Sequence, residues 1–327
     1  MRRPAFWDEG GIMPALLWPF SCIWTLATRH RQASNTAQRA GVPVICVGNV
    51  TAGGGGKTPT CIALAERLTS QGWQPHVLSR GYGGRLKGPV KVDPESHTAR
   101  DVGDEPLLIA RHGPVWIGAD RLASAARAVA DGADLLIMDD GLQNPSLARE
   151  LVLLVIDGPA GLGNGRVIPA GPLREPLGDA LAKTHAVLLV GSDPHRLGER
   201  LAASVSPILH ADIRPRAGAL VFQGEPVYAF AGIARPEKFF ATLNDLGAVV
   251  LKTRSFPDHH VFDPMTVTTM LEEAVAMGAR LVTTEKDWVR LDAATRPLVE
   301  PVPVDMVFAD TGALDDVVLA HCSQPAP

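Results

Sequence analysis

The chain has 327 residues, 46% of them apolar and 20% charged, with a net charge of −4. That length supports one large core with an appendage or two domains. The slightly acidic balance and the 5% aromatic content exclude a general nucleic-acid footprint, and Cys22, Cys46, Cys61 and Cys322 lack the spacing of a disulfide framework or a zinc site.

The N-terminus is unusual. All residues from Gly10 to Thr28 are uncharged, and Leu16, Leu17, Trp18, Phe20, Ile23, Trp24 and Leu26 lie among them, with Arg2 and Arg3 before the run and Arg29 and Arg31 after it. Pro14 and Pro19 are expected to interrupt a helix there. Tryptophans and basic flanks favour a membrane–water interface, so this segment is read as lying in or dipping into a membrane face. A buried core helix and a secretory signal are the alternatives. The signal fits poorly, since it would export a nucleotide-binding chain and no small-residue cleavage site is evident.

Apolar runs predict strands near 43–48, 75–79, 114–117, 134–139, 151–156 and 185–190, with helices at about 57–70, 104–112, 120–131 and 194–204 between them. This alternation predicts a parallel sheet covered on both faces, with ligands beyond the carboxyl ends of the strands. Turn formers at 213–218 place a boundary near 215. Beyond it the pattern predicts strands near 219–222, 226–230, 248–253, 280–284 and 303–308, and helices near 235–246 and 264–278. The division expected is residues 1–32 as a membrane-associated segment, 33–215 as a P-loop nucleotide-binding domain and 216–327 as a smaller α/β domain.

After the first predicted strand, residues 53–58 read GGGGKT. Glycines let backbone N–H groups close around phosphate oxygens, a lysine supplies a point charge at the β/γ-phosphates, and a threonine hydroxyl can reach Mg²⁺. Thr51 stands where the longer G-x-x-x-x-G-K-[ST] form has its first glycine, so the match is to the shorter GGxGK[ST] form through Gly53, Gly54, Gly56, Lys57 and Thr58, with Gly55 between. ATP or GTP is the implied ligand. Leu135–Asp139 is an apolar strand ending in Asp139 and Asp140, the layout of an acid that holds Mg²⁺, although paired acids at strand ends also serve as turn residues.

Asp104 and Glu105 open a helix as capping acids or as carboxylates near the γ-phosphate. The loop from Asn164 to Pro176 carries Arg166, Arg174 and Glu175, and its arginines suit an acceptor phosphate. Asp258, His259 and His260 form a loop where a histidine beside an acid can move a proton, or where Asp258 is a turn residue beside two exposed histidines. Thr283–Asp287 is similar to the base-reading [NT]-K-x-D element of GTPases, with its lysine one position late.

Taken together, GNVTAGGGGKTP (48–59), SRGYGG (79–84), VGDEP (102–106), DDGLQ (139–143), NGRVIPAGPLREP (164–176), FPDH (256–259) and TEKD (284–287) resemble the tetraacyldisaccharide 4′-kinase family. The resemblance implies a P-loop-type α/β domain joined to a smaller α/β domain, with an N-terminal helix on the cytoplasmic face of the inner membrane. It also implies transfer of the ATP γ-phosphate, with Mg²⁺, to the 4′-hydroxyl of an acylated glucosamine disaccharide 1-phosphate. Carried over by motif, Lys57 and Thr58 hold phosphate and metal, and Asp139 and Asp140 belong to the metal and catalytic cluster, joined by Glu105 and Glu175. Asp104, polarised by His259, is the implied acceptor of the hydroxyl proton. Arg174, Arg166, Asn49, Arg80 and Tyr82 are assigned to the acceptor. Asp104 and His259 fall on different predicted domains, so their pairing is expected to depend on closure. The sequence departs from the family at Gly55, where Ser or Thr is expected, and at Leu142, where an aromatic is expected.

Two other functions compete. A membrane-tethered NTPase switch shares the glycine loop but wants a lysine where Ala52 stands, and a GTP-dependent metal chaperone wants Cys/His ligands that are not spaced for it.

Overall fold

A computed structural model describes residues 4–34, 36–53, 55–216 and 222–323. The strands in chain order are β1 (Val44–Gly48), β2 (Pro75–Ser79), β3 (Val90–Lys91), β4 (Val115–Ile117), β5 (Leu135–Asp139), β6 (Leu151–Asp157), β7 (Ala186–Val190), β8 (Ile208–Pro215), β9 (Pro226–Ala231), β10 (Val249–Ser255), β11 (Arg280–Thr284), β12 (Glu300–Val302) and β13 (Val304–Phe308). Among the described residues they form two sheets: nine strands in the order β13-β8-β7-β6-β1-β5-β2-β4-β3, and four in the order β10-β9-β11-β12. The small sheet is parallel throughout. In the large one the edge pairs β13/β8 and β3/β4 are antiparallel and the interior is parallel.

The continuous apolar runs of β1, β5 and β6 are buried on both faces, as a covered parallel sheet requires. Alternation does the sorting. Ile45, Val47 and Ile137 join a core with Leu64 and Leu68 of the helix Lys57–Ser70, whereas Val44, Cys46 and Met138 face Ala125 and Ala128 of the helix Arg121–Ala130. Leu64 is 1% exposed at the centre of the first core. Leu64→Ala is expected to lower stability by about 2–5 kcal/mol, read as a lower urea midpoint at unchanged m.

Several expectations need correction. The strand expected in the second βα set near 303–308 exists as β13, but it pairs antiparallel with β8 in the large sheet, Met306 opposite Ile213. The helix Thr311–His321 then packs Leu314, Val317 and Val318 into the large-sheet core, and Arg67 grips Asp315. The chain therefore leaves the large sheet at Arg216 and returns at Val304. β8 was not expected, although Leu209, Ala211 and Ile213 alternate with His210, Asp212 and Arg214 as a partly exposed strand near the sheet edge does. The strand expected at 219–222 falls largely on residues outside those described, and Phe222 is buried but not in a strand.

The prolines do not break the N-terminal segment. Ile12–Ala33 is one helix. Pro14 sits in its first turn, where no intrahelical N–H bond is lost, and Pro19 is carried inside. The residues that helix buries are Pro14, Ser21 and Thr28, seven apart and therefore on one stripe. Its large apolar side chains point outward: Ile12 is 79% exposed and Leu26 65%, with Met13, Leu16, Trp18, Phe20, Ile23 and Trp24 also exposed. No helix among the described residues is long and apolar enough to cross a membrane.

Candidate active site

Parallel pairing brings the carboxyl ends of β1, β5, β2 and β6 to one edge, and the glycine loop leaves from β1 there. Gly56 precedes the helix Lys57–Ser70 in the left-handed region, with φ 83°, and no side chain caps the helix start. Its first-turn N–H groups are therefore left for an anion. Asn49 braces the loop: its Oδ1 accepts from the Thr51 N–H at 2.5 Å and the Thr51 hydroxyl at 2.8 Å. Asn49 Nδ2 is buried without a partner among the described residues, and a Cβ on Gly55 would lie 2.1 Å from it. A glycine at 55 is thus fitted to Asn49. Thr51 and Asn49 brace the loop here, while Gly53, exposed with φ 117°, takes a conformation that suits glycine. Gly54 lies outside the described residues.

Lys57 is 10% exposed, with Nζ 3.5 Å from Asp140 Oδ1. Asp139 ends β5 at 2% exposure and accepts a bond from the Ser79 hydroxyl at 3.2 Å. Burial, with Glu105 and Asp140 nearby, pushes its carboxyl well above the ordinary range. Asp140 is also desolvated, but the Lys57 and Arg174 charges outweigh that and hold it below. An uncapped helix start, an orphaned buried amide and a carboxylate strained toward protonation fit a polyphosphate with a divalent cation. Among the described residues no three His, Cys, Asp or Glu side chains converge on a protein-only metal cage. That suits Mg²⁺, which is commonly held by one or two protein groups together with substrate phosphates. Thr58, in the first helical turn, with Asp139 and Asp140 are the residues that would hold it.

Asp104 opens the helix Asp104–Ile109 and is buried. His259 Nδ1 lies 3.0 Å from its Oδ2 across the gap between the two sheets. His259 takes a positive φ of 57°, whereas His260 turns away to stack on Phe256 at 4.7 Å. The structure is therefore an arrangement in which the Asp104–His259 pair is formed. Burial opposes the Asp104 charge, but the His259 hydrogen bond and the charges of Lys286 and Arg290 hold its carboxyl far below the usual range. Arg290 donates to Asp104 Oδ2 from Nε at 2.8 Å and Nη2 at 2.5 Å. No motif pointed to Arg290; an arginine three residues past the TEKD element was the one available signal. Thr283–Asp287 is not arranged to read a base. Lys286 bonds Glu105 at 3.0 Å, and Asp287 is buried against Thr284, Gly232 and Arg290.

The loop 164–176 departs from its expected roles. Arg174 Nη1 donates to both oxygens of Asp140 at 2.8 Å, so it organises the acid cluster. Glu175, expected in the metal shell, is 1% exposed and has both oxygens committed: to Lys183 at 2.6 Å, to Gln32 at 3.3 Å and to Gln143 at 3.1 Å. Its charge is already neutralised by Lys183. Arg166 is exposed and donates to the Pro14 carbonyl at 3.3 Å, and Arg80 and Tyr82 are exposed beyond β2. The N-terminal helix seats this loop and the helix Leu177–Leu181 after it: Ser21 Oγ donates to the Val167 carbonyl at 2.7 Å, Trp24 Nε1 to the Arg174 carbonyl at 3.0 Å, and Arg29 Nε to Asp179 at 2.7 Å.

The model of the tetraacyldisaccharide-1-P 4′-kinase family matches residues 13–323. The chain belongs to that family. Its relatives include the tetraacyldisaccharide 4′-kinases of Rhodospirillum centenum, 49% identical over 96% of this chain and 95% of that protein, and Rhodospirillum rubrum, 47% identical over 97% of each. Among solved structures, LpxK of Aquifex aeolicus in complex with ATP is 25% identical with a TM-score of 0.77, covering 95% of this chain and 99% of that one. The family's P-loop-like α/β fold, with its mostly parallel sheet, is the fold described above.

Proposed function

We propose that this chain transfers the γ-phosphate of ATP to the 4′-hydroxyl of a tetraacylated glucosamine disaccharide 1-phosphate, giving the product of its kinase family. The carrying observation is one sheet edge where an uncapped glycine-to-helix phosphate site with Lys57 meets the Asp104–His259 pair, in a chain the kinase family matches nearly throughout.

The roles follow from placement. The loop of Gly53, Gly55 and Gly56 cradles the triphosphate, and Lys57 neutralises the transferring group. Mg²⁺, when bound by Thr58, Asp139 and Asp140 with Glu105 beside them, supplies charge neutralisation at the phosphates. Arg174 sets the Asp140 orientation. Asp104 orients the 4′-hydroxyl and receives its proton, with His259 steadying the carboxylate. In a loose transition state little proton abstraction is needed early, so a weakly basic carboxylate suffices. Arg166, Arg80 and Tyr82 remain exposed and available to the acceptor's sugar and phosphate. The helix Ile12–Ala33, in the proposed segment 1–32, rests on the inner membrane's cytoplasmic face with its apolar side chains in lipid. The proposed nucleotide-binding unit is 33–215, completed by the returning 304–323, and the four-stranded sheet is the smaller unit.

The test is transfer of labelled γ-phosphate from ATP to tetraacyldisaccharide 1-phosphate in detergent micelles, wild type beside Asp104→Ala. Lipid-dependent transfer by the wild type is expected, falling about 10²-fold or more in the variant. Full transfer by Asp104→Ala would reduce Asp104 to a helix-opening residue. Hydrolysis of ATP or GTP with no transfer would replace the kinase by a nucleotide-driven switch.

A further inference from the structure

Every cationic contact on Asp104 lands on the same oxygen. His259 Nδ1 at 3.0 Å, Arg290 Nε at 2.8 Å, Arg290 Nη2 at 2.5 Å and Lys286 Nζ at 3.9 Å all face Oδ2. Oδ1 accepts the Glu105 N–H at 3.0 Å and, among the described residues, nothing further from a side chain. A carboxylate gripped on one side in this way cannot rotate to exchange its oxygens, and the oxygen with spare lone-pair capacity is Oδ1.

The grip on Oδ2 is built to be rigid. The Arg290 side chain is 5% exposed, and its Nη1 donates to Asp287 Oδ1 at 2.8 Å and to the Gly232 carbonyl at 2.9 Å. Asp287 is fully buried and is itself fixed by the Thr284 hydroxyl at 2.7 Å and the Gly232 N–H at 3.0 Å. Gly232 follows β9 and Thr284 ends β11, so the arginine is anchored to the carboxyl end of the small sheet at two strands. His259 is half-exposed on a loop and has no comparable anchor. A planar fork with two donors on the target and two on its own support holds a direction that a single imidazole contact does not.

We propose that Arg290, fixed by Asp287, is the positioning residue for Asp104: it holds Oδ2 so that Oδ1 is presented to the acceptor hydroxyl. This rests on the assignment of Asp104 to the acceptor side. The small sheet then contributes orientation at the reacting hydroxyl, and Arg290 acts through Asp104 without touching the substrate.

The test is micellar transfer kinetics on the full chain for Asp104→Ala, Arg290→Met, Arg290→Lys and Asp104→Ala/Arg290→Met. Loss of alignment predicts that Arg290→Met lowers kcat by about tenfold to a hundredfold, with KM for ATP and lipid within about twofold. Arg290→Lys should recover part of kcat, since one donor can still reach Oδ2. In the Asp104→Ala background, removing Arg290 should cost nothing further. Because Arg290→Met leaves the Asp287 charge buried without its arginine, Arg290→Met/Asp287→Asn is measured beside it and should show the same kcat loss at a restored melting temperature. Multiplicative losses in the double variant, or a kcat in Arg290→Met/Asp287→Asn equal to wild type, would overturn the proposal. A fully active Asp104→Ala would instead remove the acceptor-side assignment itself, whatever Arg290 does.

Discussion

Lys57→Ala is expected to lower kcat for phosphoryl transfer by about 10³-fold or more, the scale reached when one cation is removed from a transferring phosphoryl group. The lysine is 10% exposed and 3.5 Å from Asp140, at the start of a helix whose N–H groups no side chain caps. Little bulk water screens a charge there, so its loss is felt by the phosphates directly. Asp140 keeps Arg174 after the substitution, and the buried strands beneath are untouched. The melting temperature without nucleotide should therefore change little. Single-turnover transfer of labelled phosphate at saturating ATP separates the chemical step from binding. A kcat within tenfold of wild type would show that the first-turn N–H groups and Mg²⁺ suffice without the lysine.

How far the chain could be read in advance depended on whether the information was local. β1, β5 and β6 are continuous apolar runs buried on both faces, and such runs announce themselves. The glycine loop is equally local, because its shape follows from Gly56 in the left-handed region and its charge from Lys57. β8 and β13 were different: β13 was expected as a strand but not in this sheet, β8 was not expected at all, and their pairing spans almost ninety positions of loop and small sheet. The roles of Arg174, Glu175 and Arg290 were not local at all. Arg174 looked like an anion binder, but Asp140 lies within bonding distance of it. Glu175 looked like a metal ligand, but Lys183 reaches it first. Which opposite charge a side chain meets is settled by folding, and spacing along the chain does not encode it. The prolines misled for a related reason, since Pro14 falls in a first turn that has no N–H bond to lose.

The N-terminal helix shows the same dependence on partners in reverse. Its protein-facing stripe is Pro14, Ser21 and Thr28, and its outward side carries the large apolar residues. Soluble helices place those groups the other way round. Ser21, Trp24 and Gln32 hold the loop 164–176, so the same helix whose apolar side is proposed to face lipid also seats Arg174 and, through Gln32, Glu175. Acylated substrate must keep its chains in lipid while its sugar meets the sheet edge, and a helix bound on both sides, as proposed, would bring those two surfaces together.

That arrangement predicts a separation of membrane binding from chemistry. In Leu16→Glu/Ile23→Glu/Leu26→Glu, three exposed side chains are changed, none of which bonds the loop. Each large apolar group buried in lipid is worth roughly 1.5–3 kcal/mol, and charges in their place add a further penalty near anionic headgroups. Partitioning onto vesicles containing anionic phospholipid should fall by about 10³-fold or more, read as loss of the protein from the sedimented fraction. Because the inner stripe and its bonds to the loop are intact, the melting temperature should hold and kcat with detergent-dispersed substrate should stay within about threefold of wild type. With substrate embedded in vesicles, transfer should collapse together with sedimentation. Unchanged sedimentation would move the membrane contact away from this helix. Collapse of kcat in detergent as well would mean that the outward face itself forms part of the acceptor site.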